Sequence, residues 1–87
     1  MINFTKAGWE DYTYWIETDK KKLELINELI RDCLRNPFTG IGKPEPLKGD
    51  LAGFWSRGID DTHRLVYKYN SGKLYVIRCR YHYTRNK

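Results

Sequence analysis

The 87-residue sequence carries a formal net charge of +5, and 40% of its residues are hydrophobic and 15% aromatic. A chain of this length has room for one domain, residues 1–87, and its aromatic content excludes a disordered chain. No apolar run approaches the ~18 residues that span a bilayer, and the opening Met-Ile-Asn-Phe-Thr-Lys is not of signal-peptide type. We therefore expect a cytoplasmic protein that makes no membrane contact.

Cysteine and histidine are too few and too widely spaced to predict a metal site. The two cysteines are Cys33 and Cys79, and the two histidines are His63 and His82. None of the CxxC or HxxxH spacings of metal sites occurs. We predict no metal, no cofactor and two half-buried thiols in a reducing compartment, with a disulfide between the cysteines as the alternative.

The excess positive charge is confined to the second half of the chain. Residues 1–43 contain seven Lys/Arg and seven Asp/Glu, whereas residues 44–87 contain nine and four. From Thr62 to Lys87 there are seven basic residues and no acidic one. A block of one sign repels itself unless an anion binds. A polyanion such as RNA, DNA or an acidic protein segment is therefore the favoured partner, and a simply solvated surface is the alternative.

The first half of the chain predicts a short strand followed by two helices. Residues 2–5 are the strand, and apolar and aromatic side chains recur at helical spacing from Gly8 to about Thr18. Asp19 is a suitable N-cap for a second helix, whose apolar stripe continues to about Asn36, where a proline follows.

The helical spacing gives way to strands after an irregular loop. Residues 37–50 hold all three prolines and form a loop of the kind that is often functional. Strands are predicted over Gly53–Ile59, His63–Tyr69 and Lys73–Tyr83, with Asn70-Ser71-Gly72 joining the last two as a hairpin. The order β-α-α-β-β-β predicts an α+β domain in which two helices pack on one antiparallel sheet.

The hairpin predicts which side chains share a face of the sheet. With Asn70-Ser71-Gly72 as a three-residue loop, Tyr67 faces Tyr75 and Leu65 faces Ile77. One face then carries the core residues Leu65, Tyr67, Tyr69, Tyr75, Ile77, Cys79 and Tyr81. The opposite face carries the cationic side chains of Arg64, Arg78, Arg80 and His82, with Val66, Leu74 and Val76 toward the hairpin tip. Such a cluster is destabilising without an anion, so this face is the predicted nucleic-acid-binding patch.

The predicted patch also suits metal-independent RNA cleavage. That reaction needs a base for the ribose 2′-hydroxyl, an acid for the leaving 5′-oxygen and a cation for the charge that grows on the phosphate. Glu45 lies between two prolines of the loop and supplies a carboxylate to set beside the imidazole and guanidinium groups. By composition alone, this combination of residues is weak evidence for an enzyme. The alternative for Glu45 is an exposed turn carboxylate.

Several short segments match one known family of small proteins, in order and over nearly the whole chain. The most specific are Gly42-Lys43-Pro44-Glu45-Pro46-Leu47-Lys48 and Cys79-Arg80-Tyr81-His82-Tyr83. The others are Trp9-Glu10-Asp11-Tyr12, Tyr14-Trp15, Glu17-Thr18-Asp19-Lys20, Ile26-Asn27-Glu28-Leu29-Ile30, Gly53-Phe54-Trp55-Ser56-Arg57 and His63-Arg64-Leu65-Val66-Tyr67. Together these segments resemble the YoeB/Txe family of bacterial toxins.

The resemblance implies the RelE-like microbial-ribonuclease fold and a toxin of a type II toxin–antitoxin system that cuts messenger RNA in the ribosomal A site. It also implies the catalytic residues. These are Glu45 as general base, Arg64 as the phosphate-stabilising cation, His82 as general acid and Tyr83 as the family's terminal tyrosine.

Beyond the catalytic residues, the resemblance implies that Lys48 and Arg57 contact RNA, and the face argument adds Arg78 and Arg80. The implied partners are a cognate antitoxin, messenger RNA and the bacterial ribosome, with a homodimer left open. His63 is expected to support the neighbouring catalytic arginine.

The chain departs from the family at its end, where Thr84-Arg85-Asn86-Lys87 follow the terminal tyrosine. Strand alternation also places Tyr83 on the face opposite His82, so the strand must twist or fray for Tyr83 to reach the site. The alternative function is a non-catalytic nucleic-acid- or antitoxin-binding module on the same fold. Because a pure binding module gains little from a carboxylate beside phosphate, the presence of Glu45, Arg64, His82 and Tyr83 together favours the enzyme.

Overall fold

The computed structural model of the chain describes residues 1–81. Two helices and five strands follow one another in a single layered unit, with one short 3-10 turn between the second and third strands. The elements are β1 (Ile2–Phe4), α1 (Lys6–Thr18), α2 (Lys20–Arg35), β2 (Glu45–Pro46), the 3-10 turn (Gly49–Leu51), β3 (Trp55–Gly58), β4 (Arg64–Asn70) and β5 (Lys73–Arg78). Among the described residues, no helix is long and apolar enough to cross a membrane.

Both helices begin at side-chain caps. Asp19 is the N-cap of α2, as predicted, and its carboxylate accepts the backbone N–H of Lys22 at 3.1 Å. The predicted start of α1 at Gly8 is wrong by two residues, because Thr5 is the cap and its hydroxyl oxygen accepts the Gly8 N–H at 3.0 Å. The same hydroxyl donates to the carbonyl of Ile77 at 2.9 Å, which ties the start of α1 to β5.

The strands form one mixed sheet in the order β1-β5-β4-β3-β2. The α+β class is confirmed, but the prediction of a wholly antiparallel sheet is wrong at one edge. There β1 pairs parallel with β5. Parallel pairing needs a long connection between the two strands, and the chain from β1 to β5 includes both helices. The loop predicted over residues 37–50 contains the additional short strand β2, which pairs antiparallel with β3.

The β4–β5 hairpin differs from the predicted register by one residue. Its turn consists of Ser71 and Gly72, both at positive φ (53° and 78°), and Asn70 pairs with Lys73. Two central residues at positive φ match the twist of paired strands, so the two-residue turn replaces the predicted three-residue loop. The shift moves Leu74 and Val76 to the core face, while Tyr75 and Ile77 lie opposite, half-buried.

A register shift between Val66 and Tyr67 changes the hairpin again further along. Tyr67 pairs with Val76, whereas the preceding residue, Val66, pairs with Arg78. A bulge of this kind bends its strand and re-aims the side chains that follow. The shift lies two residues after Arg64, which is the first residue of β4 and belongs to the candidate site.

The helices cover one face of the sheet and enclose the core between the two layers. Its buried members are Trp15, Ile26, Leu29, Ile30, Cys33, Ile59, Leu65, Tyr67, Leu74, Val76 and Cys79. The helix α1 approaches β5 closely at Gly8, where a Cβ would collide with the carbonyl oxygen of Val76. Both cysteines are free and fully buried rather than half-buried or bridged, and burial raises the pKa of Cys33 to about 11 and that of Cys79 to about 12.

Candidate active site

Glu45 and Arg64 come together on the face of the sheet that the helices leave open. The register sets Glu45 opposite Ser56, and Oε2 of Glu45 lies 3.7 Å from Nη2 of Arg64. The Arg64 guanidinium donates to the hydroxyl of Ser56 through Nε at 3.2 Å and through Nη2 at 2.8 Å. Ser56 is fully buried, so Arg64 is held against a rigid part of the sheet while its outer part stays reachable.

The short strand β2 fixes the backbone of Glu45. Flanking prolines restrict the chain on both sides, and the next residue, Leu47, is buried and donates its N–H to the carbonyl of Phe54 at 2.9 Å. Half of the Glu45 side chain (52%) is exposed. Glu45 is therefore exposed, as the alternative of an exposed turn carboxylate has it, but it lies in a short paired strand beside Arg64 and not in a turn.

A shallow pocket of about 330 Å³ lies beside Arg64. It is lined by Gly42, Lys43, Gly58, Ile59, Asp60 and Arg64. Its walls are joined by the hydrogen bond from the Gly58 N–H to the Gly42 carbonyl at 2.8 Å. Lys43 is exposed at its rim, while Ile59 is buried at its base, so the pocket combines a cation with apolar surface.

The carboxylate of Asp60 in this pocket serves the turn between β3 and β4. It accepts the backbone N–H groups of Thr62 and His63 at 2.8 and 2.7 Å and pairs with Lys22 of α2 at 2.6 Å. Desolvation alone would raise the pKa of Asp60, but the Lys22 ammonium and these two N–H groups outweigh it and lower the pKa to about 2. Arg64, the first residue of β4, follows directly after this turn.

The chain after β5 is fixed from two directions as it approaches the site. From α1, Asp11 accepts the N–H of Cys79 at 3.0 Å and Trp15 donates its indole N–H to the Cys79 carbonyl at 2.8 Å. From β4, the Arg64 N–H donates to the Tyr81 carbonyl at 3.0 Å, and Nδ1 of His63 accepts the Tyr81 N–H at 2.7 Å. His63 thus contacts the segment that follows β5, in addition to preceding Arg64 in the chain.

Arg57 lies inside the protein, and the prediction that it contacts RNA is wrong. Its side chain is fully buried on the helix side of β3. Nη1 donates to Asp32 at 2.6 Å and Nε donates to the Tyr67 hydroxyl at 3.2 Å. The remaining hydrogen bonds go to backbone carbonyls of the loop after α2, those of Asn36, Thr39 and Ile41.

This buried network shapes the loop that leads to the site. Asp32 also accepts the Ile41 N–H at 3.1 Å, and a side chain at Gly40 would collide with its carboxylate. The hydrogen bond from Arg57 lowers the pKa of Asp32, and burial raises the pKa of Tyr67 to about 12. Burial alone would lower the pKa of Arg57, but its bonds to Tyr67 and Asp32 outweigh it and raise that pKa.

Arg78 and Arg80 do not converge with Arg64, so the predicted cluster of three guanidinium groups on one face is wrong. Arg78 pairs with Asp11 of α1 through Nε at 2.8 Å, which raises the Arg78 pKa. Arg80 is stacked between two aromatic rings, with its Cζ 3.5 Å from the centroid of Tyr14 and 4.5 Å from that of Tyr81. The physical reason is local attraction to α1, because the Asp11 carboxylate binds Arg78 and the Tyr14 ring packs against Arg80.

The remaining predicted site residues are Lys48, His82 and Tyr83. Lys48 is exposed and caps the 3-10 turn that follows β2. His82 and Tyr83 lie outside the described residues, directly after Tyr81 in the chain. Within residues 1–81, no group of three or more His, Cys, Asp and Glu side chains could hold a metal ion.

The chain closely resembles a set of known toxins. A family model for the YoeB-like toxin of bacterial type II toxin–antitoxin systems matches residues 4–83. Toxin YoeB of Streptomyces coelicolor is 61% identical over 82 residues, which are 94% of this chain and 98% of that protein.

Solved structures agree with the sequence match. The YoeB/ParE toxin from Agrobacterium tumefaciens has a TM-score of 0.91 and 54% identity, with 94% of this chain and 98% of that chain covered. The Staphylococcus aureus toxin in a YoeB–YefM complex gives 0.90 and 43% identity over 95% of this chain and 97% of that chain. The YoeB dimer from the same organism gives 0.88 and 44% identity over 94% and 95%.

The fold and the sequence matches together define a toxin of a bacterial type II toxin–antitoxin system. Within that class, the chain belongs to the family of YoeB-like toxins.

Proposed function

We propose that the protein is an endoribonuclease that cleaves messenger RNA in the A site of the ribosome and thereby inhibits translation. The observation that carries the proposal is the pairing of Glu45 with Arg64 on the open face of the sheet, where Ser56 orients the guanidinium. A carboxylate held 3.7 Å from a fixed cation can act on a proton next to a bound phosphate.

The mechanism is an attack by the ribose 2′-oxygen on the neighbouring phosphorus, without a metal ion. The Glu45 carboxylate takes the 2′-hydroxyl proton as the new O–P bond forms. The bond from phosphorus to the 5′-oxygen breaks, and His82 gives that oxygen its proton. Arg64 stabilises the charge on the non-bridging oxygens, and Tyr83 contacts the same phosphate. The products are a 2′,3′-cyclic phosphate and a free 5′-hydroxyl.

The RNA on either side of the scissile phosphate contacts further residues in this proposal. Exposed Lys48 follows the strand that carries Glu45, and Lys43 lies at the rim of the pocket beside Arg64. A pocket of about 330 Å³ with an apolar base and a cationic rim is suited to one nucleotide. Arg78 and Arg80 add positive charge further along the surface, although Asp11 offsets the charge of Arg78.

The proposed protein partners are a cognate antitoxin, which covers the open face, and the ribosome. The structures of a Staphylococcus aureus relative in a YoeB–YefM complex and as a YoeB dimer support an antitoxin partner and a homodimer. Footprinting tests the occlusion: protection of Arg64 on antitoxin binding is expected, and equal accessibility with and without antitoxin contradicts direct covering.

The mechanism is tested by single-turnover cleavage of messenger RNA on programmed ribosomes. We expect rapid cleavage by the unaltered chain, a loss of about 10²–10⁴-fold in His82→Gln, and no cleavage of RNA with a 2′-deoxy substitution at the scissile nucleotide. Cleavage of the deoxy substrate at an undiminished rate would falsify the 2′-hydroxyl mechanism. Tight RNA binding without cleavage would instead establish the alternative of a non-catalytic binding module.

A further inference from the structure

Two consecutive residues bond to the backbone of Tyr81: His63, which directly precedes β4, and Arg64, the first residue of β4. The Tyr81 carbonyl accepts the N–H of Arg64 at 3.0 Å, and its N–H donates to Nδ1 of His63 at 2.7 Å. Tyr81 has a φ of 64°, in the left-handed region that a non-glycine residue adopts at a cost. The two hydrogen bonds therefore maintain a conformation that the chain would not adopt unaided.

The hydrogen bond to His63 depends on the protonation state of the imidazole. Nδ1 accepts the Tyr81 N–H through its lone pair, so the ring must be neutral, with its proton on Nε2. In the imidazolium form, Nδ1 carries a proton that would point at the Tyr81 N–H. Protonation thus converts an attraction between the two groups into a repulsion between two donors.

The imidazole ring has little freedom to turn away from Tyr81. It packs edge-to-face on Trp15 at 4.9 Å between centroids, and the Tyr81 ring lies 5.6 Å away on another side. Trp15 is itself fixed by its hydrogen bond to the Cys79 carbonyl at 2.8 Å. From α1 the ring contacts Trp15, and the same helix presents Asp11 and Tyr14 to the segment after β5. The charged and titratable groups nearby from the turn, α2, β4 and the segment after β5 are Asp60, Lys22, Arg64, Arg80 and the Tyr81 phenol.

We infer that His63 is a positioning residue whose neutral imidazole fixes Tyr81, and that protonation of His63 lowers the rate of RNA cleavage at acid pH. His63 is not assigned to the chemistry itself. It acts through the chain, because Tyr81 leads directly into His82, the proposed general acid, and is bonded to the backbone of Arg64, the proposed phosphate-binding cation. The inference rests on the proposed ribonuclease function.

The pH dependence of cleavage separates this role from a merely structural one. A carboxylate base that must be ionised gives an acid limb that the unaltered chain shares with every His63 variant. A histidine that must be neutral adds a second loss of rate on the acid side, which disappears when the side chain at position 63 cannot be protonated. We therefore expect the rate of the unaltered chain to fall earlier, as the pH is lowered, than the rate of a variant that cannot be protonated there, although the general acid is better protonated at acid pH.

Two variants of His63 test the assignment. The side-chain oxygen of His63→Asn can accept the Tyr81 N–H but does not titrate, whereas His63→Leu has a similar size and no acceptor. We expect His63→Asn to cleave within about threefold of the unaltered chain at pH 8 and to lose the additional fall on the acid side. In His63→Leu, kcat should drop roughly 10- to 10²-fold at every pH, with KM nearly unchanged, because misplacement of reacting groups is costly. An acid-side fall that is the same in His63→Asn as in the unaltered chain, or normal kcat in His63→Leu, overturns the inference.

A second measurement does not depend on catalysis. In the full-length chain carrying Glu45→Gln, which permits expression without RNA cleavage, NMR can follow the Tyr81 amide between pH 5 and 8. We expect its proton shift to follow the titration of the His63 ring and to become flat when His63→Asn is added. If Tyr81 does not respond while the unaltered chain cleaves RNA, the inference fails and the proposed function stands. If Tyr81 responds but the chain cleaves nothing, the positioning contact is established and the proposed function fails.

Discussion

The two faces of the sheet use arginine in opposite ways. On the helix side, Arg57 of β3 is fully buried and its guanidinium bonds to Asp32, Tyr67 and loop carbonyls. On the open side, Arg64 of β4 bonds to Ser56 and lies beside Glu45, with its side chain partly exposed. Arg57 therefore stabilises the fold and its loop, whereas Arg64 has a fixed inner edge and a reachable outer edge.

Strand alternation produces this difference. Ser56 and Arg57 are consecutive residues of β3, so one side chain lies on each face. Because the Ser56 side chain lies on the open face and bonds to the Arg64 guanidinium, the side chain of the next residue, Arg57, lies in the core. The role of a cation in a motif therefore depends on the face of the sheet that it occupies and not on its charge alone.

We expect the largest effect from a substitution on the open face that leaves the buried face unchanged. Glu45→Gln should slow the cleavage step by about 10²–10⁴-fold, because the amide cannot accept the 2′-hydroxyl proton. RNA binding should be largely retained. The control is Glu24→Gln, an exposed residue of α2. Single-turnover rates on programmed ribosomes check both, and equal rates for the two variants would contradict the role of Glu45.

The next largest effect is expected from a substitution on the buried face. Arg57→Met should lower the free energy of unfolding by about 3–5 kcal/mol, because it leaves the other groups of a buried network without their partner. The control is Arg31→Met, an exposed residue of α2, where a change within about 0.5 kcal/mol is expected. Urea unfolding measures both. A stability loss of the same small size in the two variants would show that Arg57 is not held as described.

A smaller effect tests the link between the two faces. Ser56→Ala removes the hydroxyl that accepts two hydrogen bonds from Arg64, and about a tenfold loss of cleavage rate is expected since the guanidinium is less well oriented. Ser71→Ala, at the exposed hairpin turn, should cleave normally. An unchanged rate in Ser56→Ala would mean that Arg64 does not need this support.

The smallest expected effect concerns the turn that joins β3 to β4. The pKa of Asp60 is lowered from 3.8 to about 2, so its stabilising contribution is present above about pH 4 and is lost as the pH falls from about 4 toward 2. The free energy of unfolding should therefore decline less steeply over that range in Asp60→Asn than in the unaltered chain. Denaturation curves at a series of acid pH values check this, and parallel curves would be the contrary outcome.

Much of the fold follows from local sequence signals. Asp19 as a cap and Asn36 before a proline bound the second helix within one residue of its observed ends. The hairpin register does not follow, because Asn70-Ser71-Gly72 is compatible with turns of either two or three residues. The parallel pairing of β1 with β5 depends on contacts between distant parts of the chain, which no local pattern encodes.

The candidate site was predictable in part. The resemblance selects Glu45 and Arg64, and the structure brings these two together. The supporting residues Ser56, Asp32 and Tyr67 were missed, because a buried polar network is recognised only after the strands are paired. One signal was available: adjacent Ser56 and Arg57 cannot both face the open side of the same strand.

The most direct test of the division between the two faces is to measure cleavage rate and unfolding free energy together in Arg64→Met and Arg57→Met. We expect Arg64→Met to lose about 10²–10³-fold in cleavage rate while its stability changes by less than about 1 kcal/mol. Arg57→Met should lose stability by about 3–5 kcal/mol while its folded fraction keeps more than about a tenth of the cleavage rate. An Arg64→Met variant that cleaves normally beside a stable but inactive Arg57→Met variant would contradict the assignment of the open face as the active site.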